Sequence, residues 1–265
     1  MASPCRIVVM ASGSGSNFQA VLDAVASGRI PNSQIVRLFV NRKTAFAVSR
    51  AEKAGIPSEY FNMVSGGFQA KGEKDTEKLA EARSRYDAAL ADKVIQQSPD
   101  LIVLAGWMHV FTPSFLDPLA EKGVPIINLH PALPGECSLC SQDHIYPLHT
   151  GAHVCYDYVP FSACRVTCAD TALLPTGQFD GAGAIERAYQ DFQAGKLEYN
   201  RTGIMIHYVI AKVDRGQPIM TREIECREGE KLEELEQRIH SHEHELIVEA
   251  TAKVVGELLA KRNSA

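Results

Sequence analysis

The spacing of apolar residues changes period repeatedly along the chain, and each change marks an element. Arg6-Ile7-Val8-Val9-Met10 is a short apolar run of strand type; after a stretch of glycines and serines, Phe18 to Val25 is apolar at helical spacing. Gln34 to Val40 predicts a second strand, Ala45 to Ala54 a helix, and Ser58 to Phe61 a short third strand. Thr76 to Gln97 has the period of a long helix. Leu101 to Gly106 is continuously apolar, as a parallel strand covered on both faces must be. Phe115 to Ala120 predicts a helix, and Ile126-Ile127-Asn128-Leu129-His130-Pro131 a fifth strand. Strands and helices in strict alternation predict a doubly wound parallel sheet. Further on, Ala184 to Gln193 is helical. From Arg201 to Ala211, Ile204, Ile206, Tyr208 and Ile210 alternate with Met205, His207 and Val209. A turn from Val213 to Pro218 sends Ile219 to Cys226 back antiparallel. Lys231 to Lys261 is a long amphipathic helix with Leu232, Leu235, Ile239, Leu246, Ile247, Val254 and Leu258 as its buried stripe. The expected fold is α/β and Rossmann-like: a doubly wound, mostly parallel sheet with a C-terminal antiparallel extension and a long C-terminal helix.

Composition narrows the field only a little. With 45% hydrophobic residues the chain has an ordinary soluble composition, and its formal net charge of −5 leaves no basic footprint for nucleic acid. No apolar run approaches the ~20 residues of a membrane span. Met1 to Cys5 lacks a basic stretch leading into an apolar core, so no secretory signal is expected and a reducing, cytoplasmic location is. Asn200-Arg201-Thr202 is then a chance sequon.

The candidate chemistry gathers at predicted strand ends. On a strand, Asn128 and His130 point to one face. Asn donates amide hydrogens and His can donate or shuttle a proton near neutrality, a pair suited to a developing oxyanion. The same segment also fits a buried strand ending in two hydrogen-bonded polar residues. Ser12-Gly13-Ser14-Gly15-Ser16-Asn17 lies between a strand and a helix, where glycines admit a ligand and the helix N-terminus favours an anion. Ser16 and Asn17 are good N-caps as well as phosphate donors. The loop matches neither the Walker pattern nor a dinucleotide fingerprint, so a monophosphate suits it better; a plain strand-to-helix turn is the other reading. Trp107 and Met108 follow the apolar strand, where a pocket needs apolar walls. Among the helical charges Arg83, Arg85 and Asp87, most are expected on a solvated face. His240, His242 and His244 splay around the last helix at a spacing of two, so no three-His metal site is expected there.

Four stretches together carry a resemblance: Ser12 to Asn17, Leu104-Ala105-Gly106-Trp107-Met108, Asn128-Leu129-His130-Pro131 and Asp214-Arg215-Gly216-Gln217-Pro218. In this order they resemble the phosphoribosylglycinamide formyltransferases, and Gly181 to Tyr189 is most similar to the fungal branch. The resemblance implies a single domain over 1–265 with the formyltransferase fold. It also implies formyl transfer from 10-formyltetrahydrofolate to the amine of glycinamide ribonucleotide, in de novo purine synthesis, without a metal. Asn128, His130 and Asp214 fall on the family's catalytic positions. Gly13, Gly15, Ser16 and Asn17 match its phosphate loop, Glu243 an acid that contacts the nucleotide, and Met108 a wall residue between the substrates. Arg83, Trp107, His207, Val209 and Val213 match the folate side. His109 stands where bacterial members tend to have Arg and receives no role. Asp214 beside His130 is expected to raise the imidazole pKa and to favour the cation. Another folate-dependent formyltransferase or a formyltetrahydrofolate hydrolase shares the Asn–His–Asp arrangement; the loop at Gly13 to Asn17 separates them, because those relatives need no phosphate grip.

One stretch departs from the family. Glu136 to Gly177 shows neither helical nor strand period and holds Cys137, Cys140, Cys155, Cys164 and Cys168 with His144, His149 and His153. Three readings compete. Gly135-Glu136-Cys137 can be encoded by GGT-GAG-TGT, which contains the splice-donor sequence GTGAGT, so the stretch can be a translated intron. It can be a tolerated loop, since long insertions cost little closure entropy. Or Cys137, Cys140, Cys164 and Cys168 can hold zinc. An insert that misplaces His130 would leave a catalytically impaired product.

Overall fold

The computed structural model describes residues 3–134, 184–214 and 216–264. Its elements in chain order are β1 (Cys5–Ala11), α1 (Ser16–Ala26), β2 (Ser33–Val40), α2 (Ala47–Lys53), β3 (Ser58–Tyr60), α3 (Thr76–Ile95), β4 (Leu101–Leu104), α4 (Pro113–Glu121), β5 (Ile126–His130), α5 (Ala184–Gln193), β6 (Arg201–Tyr208), β7 (Pro218–Glu225) and α6 (Leu232–Asn263). The strands form one sheet in the order β3-β2-β1-β4-β5-β6-β7. The first five run parallel, while β6 pairs antiparallel with β5 and β7 with β6.

Alternation along β1 divides the core in two. Ile7, Val9 and Ala11 pack with Phe18 and Val21 of α1 and with Leu246 and Val254 of α6. Val8 and Met10 face the other way, toward Tyr86 and Leu90 of α3 and Phe115 and Leu119 of α4. Every residue of β1 but Arg6 is buried, because helices cover both faces, and this explains its nearly unbroken apolar run. The apolar residues of α6 lie against α1 and the sheet, as its amphipathic pattern predicts.

Two differences from the sequence reading bear on the site. The sixth strand ends at Tyr208 rather than Ala211. The chain then leaves the sheet, with Ile210 and Val213 exposed, and forms a cavity wall before β7 begins. The N-cap of α1 is Gly15, with no side-chain cap, and Ser16 already lies inside the helix. Among the described residues no helix is long and apolar enough to cross a membrane. The cysteine-rich stretch 136–177, and with it the possible zinc site, lies outside the described residues.

Candidate active site

The strand order turns between β1 and β4, and open α/β sheets hold ligands in the crevice that such a turn leaves at the strands' carboxyl ends. The loop after β1 is held there from several sides. The Ser12 amide donates to the Gly106 carbonyl (3.0 Å), and the Met108 amide donates to Ser12 Oγ (2.8 Å), joining it to the exit of β4. The Ala47 amide and the Arg50 Nε–H donate to the carbonyls of Gly13 and Ser14. Gly15 adopts φ 70°, and a Cβ there would come within 2.7 Å of the Ala47 methyl, so both conformation and contact require glycine. The uncapped first turn of α1 offers its amides to an anion. Beside it, buried Asn17 points its amide at Glu243 Oε2 (3.5 Å), while Asn17 Oδ1 has no partner among the described residues.

The polar centre comes from the antiparallel pairing of β5 and β6. Register sets Asn128 opposite His207 and His130 opposite Met205. Asn128 Nδ2 stands 3.2 Å from His207 Nε2, and His207 Nδ1 stands 2.9 Å from the Tyr208 carbonyl. A carbonyl only accepts, so Nδ1 carries the hydrogen; in the neutral ring Nε2 then accepts from Asn128, which fixes the plane of the amide. Asp214, on the turn after β6, adopts φ 52°. Its carboxylate lies 3.6 Å from His130 Nδ1 and 3.4 Å from His207 Nε2. His130 is 8% exposed, and burial pulls its pKa below the ordinary value of 6.5. Asp214 opposes that shift, while His207 and Arg187 reinforce it. The expectation of a cationic His130 is therefore corrected: desolvation outweighs a carboxylate at 3.6 Å, and the resting ring is neutral at neutral pH.

The rest of the cavity wall is apolar. Trp107 stacks on Phe111, and Phe111 stacks closely on Phe115. Behind them lies a hydrogen-bonded imidazole–carboxylate pair. Asp87, wholly buried on α3, is 2.6 Å from His109 Nε2 and accepts the Thr112 amide at 2.6 Å. The pair fastens the wall loop to α3. Asp87→Ala leaves both donors buried without an acceptor, and a loss of about 3 kcal/mol in unfolding free energy is expected in urea titrations.

The cavity measures about 470 Å³, within the range of small-molecule sites. Gly13, Gly15, Ser16, Asn17, Trp107, Met108, Asn128, His130, His207, Val209, Val213, Asp214 and Glu243 all line it. Arg83 does not: it projects from the exposed face of α3 and is not among the lining residues. Arg42, His109, Phe111 and His240 line the cavity and were not nominated from sequence. His109 and Phe111 follow Trp107-Met108 in the same strand-exit loop, and His240 lies one turn before Glu243, so adjacency was the available signal. His207, matched to the folate side by resemblance, has Asn128 and Asp214 as side-chain polar neighbours.

Known proteins share this arrangement of chain. A family model described as formyl transferase matches residues 5–138 and 169–251. The phosphoribosylglycinamide formyltransferase of Schizosaccharomyces pombe is 36% identical over 250 residues, covering 94% of this chain and 96% of that protein. The Saccharomyces cerevisiae protein of the same name is 35% identical over 257 residues, covering 96% and 98%. Among solved structures, glycinamide ribonucleotide transformylase 1 from Geobacillus kaustophilus superposes with a TM-score of 0.63 at 26% identity, covering 95% of this chain and 99% of that one. The protein of the same name from Symbiobacterium toebii gives 0.64 at 23% identity, covering 97% and 90%, a likeness of fold.

Proposed function

The chain belongs to the formyl transferase family, and within it we propose that this protein moves a formyl group from 10-formyltetrahydrofolate to the amine of glycinamide ribonucleotide, in purine synthesis. One observation carries the reading: a single cavity joins an uncapped, glycine-bounded helix N-terminus, a polar Asn–His–Asp centre and an aromatic wall. The three parts suit a phosphate, a reacting carbonyl and a flat heterocycle in turn. The substrates are small molecules, and the expected compartment is the cytoplasm.

The chemistry follows from the donors. The amine attacks in its neutral form, accessible because an α-amino group titrates near ~8. Attack builds negative charge on the formyl oxygen. Asn128, its amide oriented by His207, has a second N–H for that oxygen. Asp214 faces His130 Nδ1, so the neutral ring carries its lone pair on Nε2 and can take the proton that the amine sheds. The resulting imidazolium lies between the oxyanion and Asp214. The same proton passes to N10 as the bond from carbon to N10 breaks, which leaves a formylated amine and tetrahydrofolate.

The family model's match breaks between 138 and 169, which supports the reading of an insertion beside His130. The test is a formyl-transfer assay on the full chain and on a chain lacking 136–177. The shortened chain is expected to formylate glycinamide ribonucleotide; a folded but inactive shortened chain overturns the assignment. Formate release without formylated nucleotide indicates the hydrolase reading instead. Activity of the full chain identifies the insert as a tolerated loop, and inactivity as an intron product or an off-switch.

A further inference from the structure

Two consecutive carbonyls of the loop after β1 are held by α2. The Ala47 amide donates to the Gly13 carbonyl (3.2 Å), and Arg50 Nε–H donates to the Ser14 carbonyl (2.9 Å). Arg50 is itself held in place. Its Nη1 donates to Gln19 Oε1 (3.1 Å), Gln19 in turn donates to Asp23 Oδ1 (2.8 Å), and the guanidinium carbon lies 5.2 Å from the Phe46 ring centroid. Ser14 and Gly15 line the cavity, and Ala47 and Arg50 do not. We propose that Arg50 is a positioning residue for the phosphate of the nucleotide: it acts from behind the loop, holding the Ser14 carbonyl so that the next amide is presented to the ligand. The inference rests on the reading of this cavity as a glycinamide ribonucleotide site.

Peptide geometry is the reason. In a planar trans peptide the carbonyl and the following N–H point in opposite directions. Turning the Gly13 carbonyl to α2 therefore turns the Ser14 amide away from α2, and turning the Ser14 carbonyl to Arg50 does the same for the Gly15 amide. Among the described residues neither amide donates a hydrogen bond, so both remain for an anion. The Gly13 link is made by backbone and belongs to the fold. The Ser14 link depends on a side chain, and a substitution can remove it. Without it the peptide between Ser14 and Gly15 is free to rotate, the more so because glycine has the widest choice of backbone conformation. The ligand must then order that peptide as it binds, and affinity falls.

The position uses arginine in two ways. The planar fork reaches the Ser14 carbonyl with Nε and Gln19 with Nη1 in one fixed geometry; a lysine keeps the charge but offers no such fork. The charge is also felt across the molecule at α6: burial lowers the pKa of His244, the residue after Glu243, and His240 and Arg50 act in the same direction against Glu243. Arg50 thus adds a positive field to this end of the cavity while leaving the cavity itself open to the ligand.

Calorimetric titration of the full chain with glycinamide ribonucleotide, and with its dephosphorylated riboside, tests this. Arg50→Gln is expected to bind the ribonucleotide about tenfold more weakly than wild type and the riboside equally well, because only the phosphate uses the held amide. Arg50→Lys, with the charge but without the fork, is expected to bind the ribonucleotide about threefold more weakly. Lys53→Gln removes an exposed charge of α2 without touching the loop and is expected to follow wild type. Ribonucleotide affinity of Arg50→Gln within twofold of wild type overturns the role of Arg50 while leaving the function standing. Equal losses toward ribonucleotide and riboside overturn it as well, since they mark damage to the cavity rather than to the phosphate grip. Full affinity in Arg50→Lys shows that charge alone suffices and overturns the positioning; this comparison decides even where Arg50→Gln does not fold. A folded wild-type chain that binds neither ligand overturns both the role of Arg50 and the reading of the cavity.

Discussion

Asn128→Ala is expected to lower kcat by about 10²–10³ while leaving the KM of both substrates within a few-fold, because a donor aimed at a developing oxyanion acts only as charge appears. The residue sits on β5, whose backbone pairing with β4 and β6 does not depend on the side chain, so the substitution leaves the sheet intact. Its other contact, to His207 Nε2, holds the amide in plane and is lost with it. Steady-state kinetics with each substrate varied in turn makes the check. A drop in kcat below fivefold, or a loss confined to KM, removes Asn128 from the transition state and leaves it a wall residue.

How much of this was legible in the sequence follows the range of the interactions. The apolar runs of β1 and β4 and the period of α6 are local patterns, and each became the element predicted. The shared face of Asn128 and His130 also follows from a rule two residues long. The pairing of Asn128 with His207 does not: it depends on the register of β5 against β6, set across the whole of the irregular stretch between them. The neutral state of His130 was equally out of reach, because proximity to Asp214 can be guessed from a motif and the depth of burial cannot. Arg83 shows the converse limit: a helical charge matched to a family position lies on an exposed face, where helical charges usually lie. At the insert, the family match resumes at 169 whereas the sequence reading resumes after Gly177. Ala172-Leu173-Leu174-Pro175 repeats the texture of Ala132-Leu133-Pro134, so either copy can be aligned.

Asp214→Asn separates the charge of this residue from its place in the chain. At φ 52° few side chains are tolerated, but Asn enters the left-handed region as readily as Asp, so the turn keeps its shape. What is lost is a negative charge 3.6 Å from His130 Nδ1. Two charges at that range are worth several kcal/mol at an effective dielectric of ~20, and partial solvation reduces this to a loss of about 10² in kcat. The direction of the pH effect distinguishes electrostatics from mere damage. Asp214 raises the His130 pKa, against burial, His207 and Arg187. Without it the ring becomes harder to protonate. Activity that needs neutral His130 rises with pH through the pKa of that ring, on a limb below the titration of the substrate amine near ~8. In Asp214→Asn that limb is expected to move to lower pH even as the plateau falls. Log kcat against pH for both forms reads the two changes separately. A lowered plateau with an unmoved limb shows that the carboxylate acts on something other than His130, such as a water that carries the proton. A limb that moves while the plateau holds shows that it tunes the ring without stabilising the imidazolium in the transition state.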